Sequence, residues 1–111
     1  MNEQMHTLAL TIGHNVGDKP TWDTQAVCKV IDMVLACPSY TVIPCIGRYN
    51  GMNETSTRIE VCDTKQNILS YVQRVPVIAG KLNQECILVQ CDGLAALIGP
   101  ADHRRLSADV A

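Results

Sequence analysis

The chain has 111 residues, of which 47 % are hydrophobic and 18 % charged, and its formal net charge is −2. These values are ordinary for one globular domain, and they give no electrostatic reason to expect nucleic acid or an anionic membrane as a partner. No apolar run approaches the ~20 residues that would cross a bilayer, and the amino terminus lacks the charged and apolar regions of a secretory leader. The sequence therefore predicts a cytoplasmic globular protein.

The six cysteines lie in or beside predicted helices and strands, among aliphatic residues. This setting is typical of reduced packing residues rather than of a disulfide framework. The chain also has no Cys-x-x-Cys pair and no paired histidine spacing of the kind that zinc sites use. We therefore predict no metal site and no cofactor.

The first part of the chain predicts a strand followed by a helix. Residues 6–14 alternate between apolar and polar side chains, as expected for a half-buried strand. A turn-rich segment then leads into a helix with an apolar stripe, for which Thr21 or Asp23 is the candidate N-cap. Pro38 ends this helix, because the residue before a proline avoids the helical region.

Residues 40–62 predict a β-hairpin that turns at Asn50 and Gly51, since a type I′ turn needs positive φ at both central residues. Pro44 has no N–H to donate, so the first hairpin strand must be a sheet edge. The two-residue turn also sets the register. On one side we expect Tyr49 opposite Met52, Gly47 opposite Glu54, Cys45 opposite Ser56, Ile43 opposite Arg58 and Thr41 opposite Glu60. The other side, the predicted core face, carries Tyr40, Val42, Pro44, Ile46, Thr55, Thr57, Ile59 and Val61.

The remaining elements complete a βαββαβ order. Asp63 or Thr64 caps a second helix that ends by residue 83, and residues 85–91 form the last predicted strand. Right-handed crossovers then predict an α+β, ferredoxin-like fold, with a four-stranded antiparallel sheet in the order 4-1-3-2 and two helices on one face. We predict a single domain over residues 1–91 and a C-terminal tail over residues 92–111.

Two surfaces of the predicted fold carry residues suited to a ligand. One is the open sheet face, where Arg58 lies between glutamates. The other is the turn at residues 13–17, which runs from a strand end toward a helix N-terminus, where backbone donors favour anions. An aromatic residue and an arginine flank the hairpin tip. The candidate ligand-binding residues are Gly13, His14, Asn15, Gly17, Arg48, Tyr49, Glu54 and Arg58.

Each surface also has a simpler interpretation. The open face is either solvated or packed against a copy of itself, because it also carries apolar side chains. Glycines in a turn commonly serve only to turn the chain. His14 is either an exposed strand-end residue or a weak candidate for a general base, which Asp18, Asp23 or Glu54 would orient. No nucleophile with an adjacent base is identified.

Three segments carry a resemblance: residues 10–17 (LTIGHNVG), 43–47 (IPCIG) and 51–60 (GMNETSTRIE). Together they make the chain similar, over residues 7–91, to small uncharacterised proteins of phages and mobile elements of gut bacteria. No functional residue carries over from that group. The resemblance implies an accessory phage protein, many of which are oligomeric binders that sequester a nucleotide signal or block a host protein.

These observations favour a non-enzymatic, homo-oligomeric module that captures a small anionic, nucleotide-like ligand. Nucleic acid and membranes are not expected as partners. Two alternatives stay open. One is a protein-interaction or inhibitor module that pairs through the unpaired hairpin edge, and the other is a small hydrolase or isomerase that uses His14.

Overall fold

In a computed structural model that describes residues 4–102, helices cover one face of an antiparallel sheet. The helices are α1 (Thr24–Leu35) and α2 (Lys65–Lys81). The strands are β1 (Met5–Gly13), β2 (Asn15–Val16), β3 (Lys19–Pro20), β4 (Thr41–Tyr49), β5 (Met52–Thr64), β6 (Ile87–Cys91) and β7 (Leu94–Ile98). Five of them form the main sheet, in the order β4-β5-β1-β6-β7, while β2 and β3 form a separate ribbon.

The prediction of a four-stranded, ferredoxin-like sheet in the order 4-1-3-2 is wrong, because the sheet has a fifth strand and the chain forms an additional ribbon. The fifth strand, β7, lies in the segment that we assigned to the tail, and it pairs antiparallel with β6. Asp92 and Gly93 connect the two strands with φ values of 51° and 81°, as a type I′ turn requires. The basic end of the tail, residues 103–105, lies outside the described residues.

The hairpin register is confirmed. β4 pairs over its whole length with residues 52–60 of β5 in the predicted register, from Tyr49 opposite Met52 to Thr41 opposite Glu60. Both turn residues have positive φ, and Pro44 lies on an edge strand, as its missing N–H requires. Local turn chemistry and one proline therefore place this part of the sheet correctly.

The core lies between the sheet and the two helices. Fully buried side chains from several strands and both helices meet there, among them Leu10, Ile31, Ile59, Val75 and Ile87. Such a single apolar layer is what a chain of this length can build. No helix in the described part of the chain is long and apolar enough to cross a membrane.

The hairpin extends beyond the helices that should cover it. The 12 residues of α1 span about 18 Å at ~1.5 Å per residue, whereas the 13 residues of β5 span about 43 Å at ~3.3 Å per residue. Ile46 is consequently 71 % exposed, and Pro44 and Thr55 are exposed as well, although we predicted all three in the core. This uncovered part of the hairpin leaves a concave surface beside α1.

Candidate functional site

A cleft opens where the hairpin passes the N-terminal end of α1. Its volume is about 680 Å³, within the range of ~300–1,000 Å³ that is typical of small-molecule sites. We call it the Trp22 cleft. Its lining residues are His14, Trp22, Asp23, Thr24, Gln25, Pro44, Cys45, Ile46, Thr55 and Ser56.

The start of α1 forms one wall of the Trp22 cleft. Asp23 is the N-cap, one of the two predicted candidates, and its carboxylate accepts a hydrogen bond from the Ala26 N–H at 2.8 Å. The preceding residue, Trp22, is half-buried, and its indole N–H donates to the Leu82 carbonyl at 2.7 Å. The backbone N–H of Trp22 donates to the His14 carbonyl at 2.8 Å. An aromatic ring and a carboxylate are therefore held side by side.

His14 lies on the floor of the cleft and is only 6 % exposed. Its Nδ1 lies 3.1 Å from the Thr55 hydroxyl and its Nε2 lies 2.7 Å from the Thr57 hydroxyl. The Thr57 hydroxyl in turn lies 2.9 Å from that of Thr24. Burial lowers the pKa of His14, an effect that the negative charges of Asp23 and Glu54 oppose in part. The imidazole is thus neutral near pH 7, with hydroxyls at both nitrogens. Its predicted role as a base stays a prediction.

The lowered pKa of His14 predicts that acid destabilises the protein through this residue. The unfolded chain takes up a proton near the ordinary pKa of 6.5, whereas the folded protein resists protonation until a lower pH. The free energy of unfolding should therefore fall as the pH decreases from 6.5 toward the folded pKa. Denaturant unfolding at about pH 7.5 and about pH 5.5 should show a smaller loss for His14→Gln than for the wild type. Equal losses would contradict this account.

The turn that we predicted as an anion site is already occupied by a carboxylate. The Asn15 N–H donates to Glu54 Oε2 at 2.7 Å. The Glu54 carboxylate packs against Gly13, where a Cβ atom would overlap it. Gly13 therefore provides space for a side chain rather than a cradle for phosphate. An anion at this position would be repelled by the negative charge of Glu54.

Three further predicted ligand residues lie outside the Trp22 cleft. Arg48 donates to the Asn53 side chain at 2.8 Å near the hairpin tip, and Tyr49 beside it is 48 % exposed. Partial loss of contact with water, followed by the nearby negative charge of Glu54, raises the pKa of Tyr49. Gly17, with φ 62°, lies in the turn between β2 and β3. The structure thus does not gather the predicted set into one site.

Arg58 lies on the open sheet face, on the other side of β5 from Thr57. Its Nε donates to Glu60 and its Nη1 to Gln90, both at 2.8 Å. About a third of each charged side chain is exposed, so water screens the ion pair, which contributes ~0–1 kcal/mol. These bonds keep the guanidinium on the open face, away from the cleft.

Sequence analysis gave Trp22 and Thr24 no role and placed Pro44 and Ile46 in the core. One signal was available: Trp22 is the only tryptophan of the chain, and an amphipathic ring next to a polar helix start commonly borders a wet surface. The sequence contains no comparable indication that Ile46 is exposed, because its exposure depends on how far α1 extends along the hairpin.

Comparison with solved structures identifies proteins of the same fold. A phage SAM lyase in complex with S-methyl-5′-thioadenosine matches with a TM-score of 0.77 and 22 % identity, over 88 % of this chain and 92 % of that one. A phage SAM lyase in the apo state matches with a TM-score of 0.70 and 24 % identity, over 84 % and 87 %. The chain has the fold of the phage SAM lyases. No family model matches the chain, and no curated protein matches it in sequence.

The comparison corrects our prediction of function. We expected a non-enzymatic, homo-oligomeric module, with a protein-interaction module and a hydrolase or isomerase as alternatives, but both structural neighbours are lyases. The expectation of a protein without enzymatic activity is wrong on the same ground. Two coarser expectations agree with the comparison: the neighbours are phage proteins, and one of them binds a small molecule. Self-association is not shown.

Proposed function

We propose that this protein is a lyase that cleaves S-adenosyl-L-methionine (SAM), or a closely related sulfonium compound, in the Trp22 cleft. The observation that carries the proposal is the cleft itself, in which an aromatic ring, apolar side chains and one carboxylate surround a volume of about 680 Å³. A purine, a hydrocarbon chain and a positive charge are the corresponding features of SAM. The fold shared with phage SAM lyases supports the same reaction class.

In the lyase reaction that we propose, the nucleophile that displaces sulfur lies inside the substrate. In SAM, an oxygen of the α-carboxylate can attack the γ-carbon that carries the sulfonium. The new C–O bond forms as the C–S bond breaks, and the electron pair of the broken bond stays on sulfur. The products are S-methyl-5′-thioadenosine and a cyclic ester, homoserine lactone. The negative carboxylate and the positive sulfonium neutralise each other, so the reaction needs no proton transfer and no co-reactant.

The protein's task is then to fold the substrate and to remove water from its carboxylate. Because opposite charges cancel along the reaction, surroundings of low polarity favour the transition state over the charged reactant. Trp22, Pro44 and Ile46 give the cleft apolar walls, and the imidazole of His14 on its floor is kept neutral by burial. The cleft therefore offers a surface of low charge to the reacting atoms.

Two residues of the wall are suited to hold the substrate in place. The Trp22 ring is fixed at its indole nitrogen by the bond to Leu82, and an aromatic ring that stacks on a base contributes ~1–3 kcal/mol. Asp23 is the carboxylate among the cleft residues, and its bond to the Ala26 N–H holds it at the wall. We assign adenine to Trp22 and the positive charge of the substrate's α-ammonium group, which does not change during the reaction, to Asp23.

The proposal is tested by incubating the purified protein with SAM in metal-free buffer enriched in heavy-oxygen water. Chromatography should detect S-methyl-5′-thioadenosine, and the freshly formed lactone should carry no heavy oxygen, because the ring oxygen comes from the substrate. S-Adenosylhomocysteine, which lacks the sulfonium charge, is the matched control and should remain intact. Folded protein that leaves SAM uncleaved would overturn the proposal. An open-chain product labelled in its hydroxyl group would replace the lyase reaction with hydrolysis, because opening of the lactone by water labels only the carboxylate.

We also propose that the protein self-associates through its open sheet face. Ile43 and Leu97 are 36 % and 57 % exposed on this face, and large exposed apolar side chains favour pairing with a second copy. Sedimentation at two concentrations should show a larger species that Leu97→Lys shifts toward the monomer. Val77→Lys, on the exposed side of α2, is the control. A wild-type protein that stays monomeric at both concentrations would refute self-association.

The location that we propose is the cytoplasm. All six cysteines are free thiols, which is the state that a reducing compartment maintains. SAM is made and used in that compartment, so enzyme and substrate would meet there.

A further inference from the structure

The C-terminal end of α2 turns one glutamine side chain toward the interior. After the C-cap, Asn83 adopts φ 50°, its N–H donates to the Gly80 carbonyl at 3.3 Å, and the Gln84 N–H donates to the Ala79 carbonyl at 2.9 Å. This pair of bonds is a Schellman motif, which ends a helix and reverses the chain direction. Gln84 is consequently only 8 % exposed, although it follows a helix end at the surface.

The amide of Gln84 joins α2 to the segment that leads into the Trp22 cleft. Its Nε2 donates to the Asn15 carbonyl at 2.9 Å and to the Leu82 carbonyl at 3.2 Å. The same Leu82 carbonyl accepts the hydrogen bond from the Trp22 indole at 2.7 Å. Residues 14–22 are closed into one unit, because the Thr21 and Trp22 N–H groups both donate to the His14 carbonyl. Two side-chain bonds that meet at one carbonyl therefore hold this unit against α2.

The Gln84 side chain is not needed to end the helix, because backbone bonds already do so. It also does not line the cleft. Its bonds instead fix two features of the cleft: the orientation of the Leu82 carbonyl that holds the Trp22 ring, and the position of Asn15 next to the floor residue His14. The buried amide of Gln84 can therefore affect the geometry of the cleft without contacting a ligand in it.

We infer that Gln84 is a positioning residue that fixes the Trp22 ring for substrate binding, an inference that rests on the proposed function. Without its donor, the Leu82 carbonyl loses one partner and the segment at residues 14–22 loses its bond to α2. The ring then samples more orientations, and stacking with a purine becomes less favourable. The bond of the indole to Leu82 persists in a less ordered form, so the effect is a weakened cleft rather than an unfolded protein.

The experiment uses the fact that Trp22 is the only tryptophan among three tyrosines, so tryptophan emission, excited where tyrosine does not absorb, reports on this ring alone. Gln84→Met has a side chain of similar length without a donor, and Gln73→Met, on the exposed side of α2, is the matched control. In Gln84→Met we expect a red-shifted emission, stronger quenching by acrylamide, and a rise of about 3- to 10-fold in KM for SAM, the loss expected for one hydrogen bond. The control should match the wild type.

A folded Gln84→Met protein with unchanged emission and quenching would overturn the inference, even if its melting temperature were lower. If Gln84→Met does not fold, Gln84→Glu, which keeps the length but lacks the amide donor, takes its place under the same criteria. The fluorescence comparison does not depend on activity. If the wild type failed to cleave SAM, the proposed function would be wrong. A fluorescence change in Gln84→Met would still support the positioning of Trp22 by Gln84.

Discussion

Replacing Trp22 with alanine should lower kcat/KM for SAM by about 10- to 100-fold, one of the two largest effects that we expect from a side chain in the cleft. The estimate follows from the loss of ~1–3 kcal/mol of stacking between an aromatic ring and a base. Removing the ring also admits water next to the substrate carboxylate, which opposes the charge-neutralising reaction. The measurement is the initial rate of S-methyl-5′-thioadenosine formation over a range of SAM concentrations.

Trp22→Phe separates the two contributions of the indole. It keeps an aromatic face but removes the N–H that donates to Leu82, so its kcat/KM should lie between those of the wild type and Trp22→Ala. Met33→Ala, a change at a residue of α1 that is 66 % exposed and outside the cleft lining, serves as the control and should be neutral. Wild-type activity in a folded Trp22→Ala protein would place the substrate elsewhere.

Replacing Asp23 with asparagine should raise KM for SAM by about 10- to 100-fold without unfolding the protein. Asparagine caps a helix about as well as aspartate, so the bond to the Ala26 N–H can be kept while the charge is lost. The expected effect corresponds to one hydrogen bond to a charged group, worth ~1.5–3 kcal/mol. Steady-state kinetics and thermal unfolding of the same preparation would measure both quantities.

The reaction itself provides a sharper control for Asp23. S-Methyl-5′-thioadenosine carries no positive charge, so its Kd should be the same for Asp23→Asn and the wild type, although that for SAM rises. Asp18→Asn, in the exposed turn between β2 and β3, removes a charge of the same sign outside the cleft lining and should leave both affinities unchanged. If both ligands bound Asp23→Asn equally weakly, the role of Asp23 would be structural rather than electrostatic.

The features that sequence analysis predicted correctly are those decided by near neighbours in the chain. Asn50 and Gly51 determine the register of β4 and β5, and Pro44 places β4 at an edge. Asp92 and Gly93 form the same kind of turn between apolar residues, and reading them as the start of a tail caused the error in strand number. The Asp-Gly pair is as strong an indication of a type I′ hairpin turn as the Asn-Gly pair.

The candidate site was less predictable because distant segments build it. Glu54 reaches Asn15, 39 residues away in the sequence, and turns a predicted anion site into a position that already holds a negative charge. The ring nitrogens of the buried His14 lie within hydrogen-bond distance of the Thr55 and Thr57 hydroxyls. The spacing of these residues in the sequence does not reveal this contact. The cleft itself exists because α1 is shorter than the hairpin beside it, a difference that matters only once the two elements are packed.

Pro44 has a second consequence, which concerns how molecules reach the cleft. It lies on the outermost strand and also lines the cavity. Because proline has no N–H, it interrupts the row of backbone donors along the edge strand β4. An extended peptide therefore cannot pair continuously with this edge and cover the cleft. The proline that marks the edge of the sheet thereby leaves the entrance of the cleft open for the substrate that we propose.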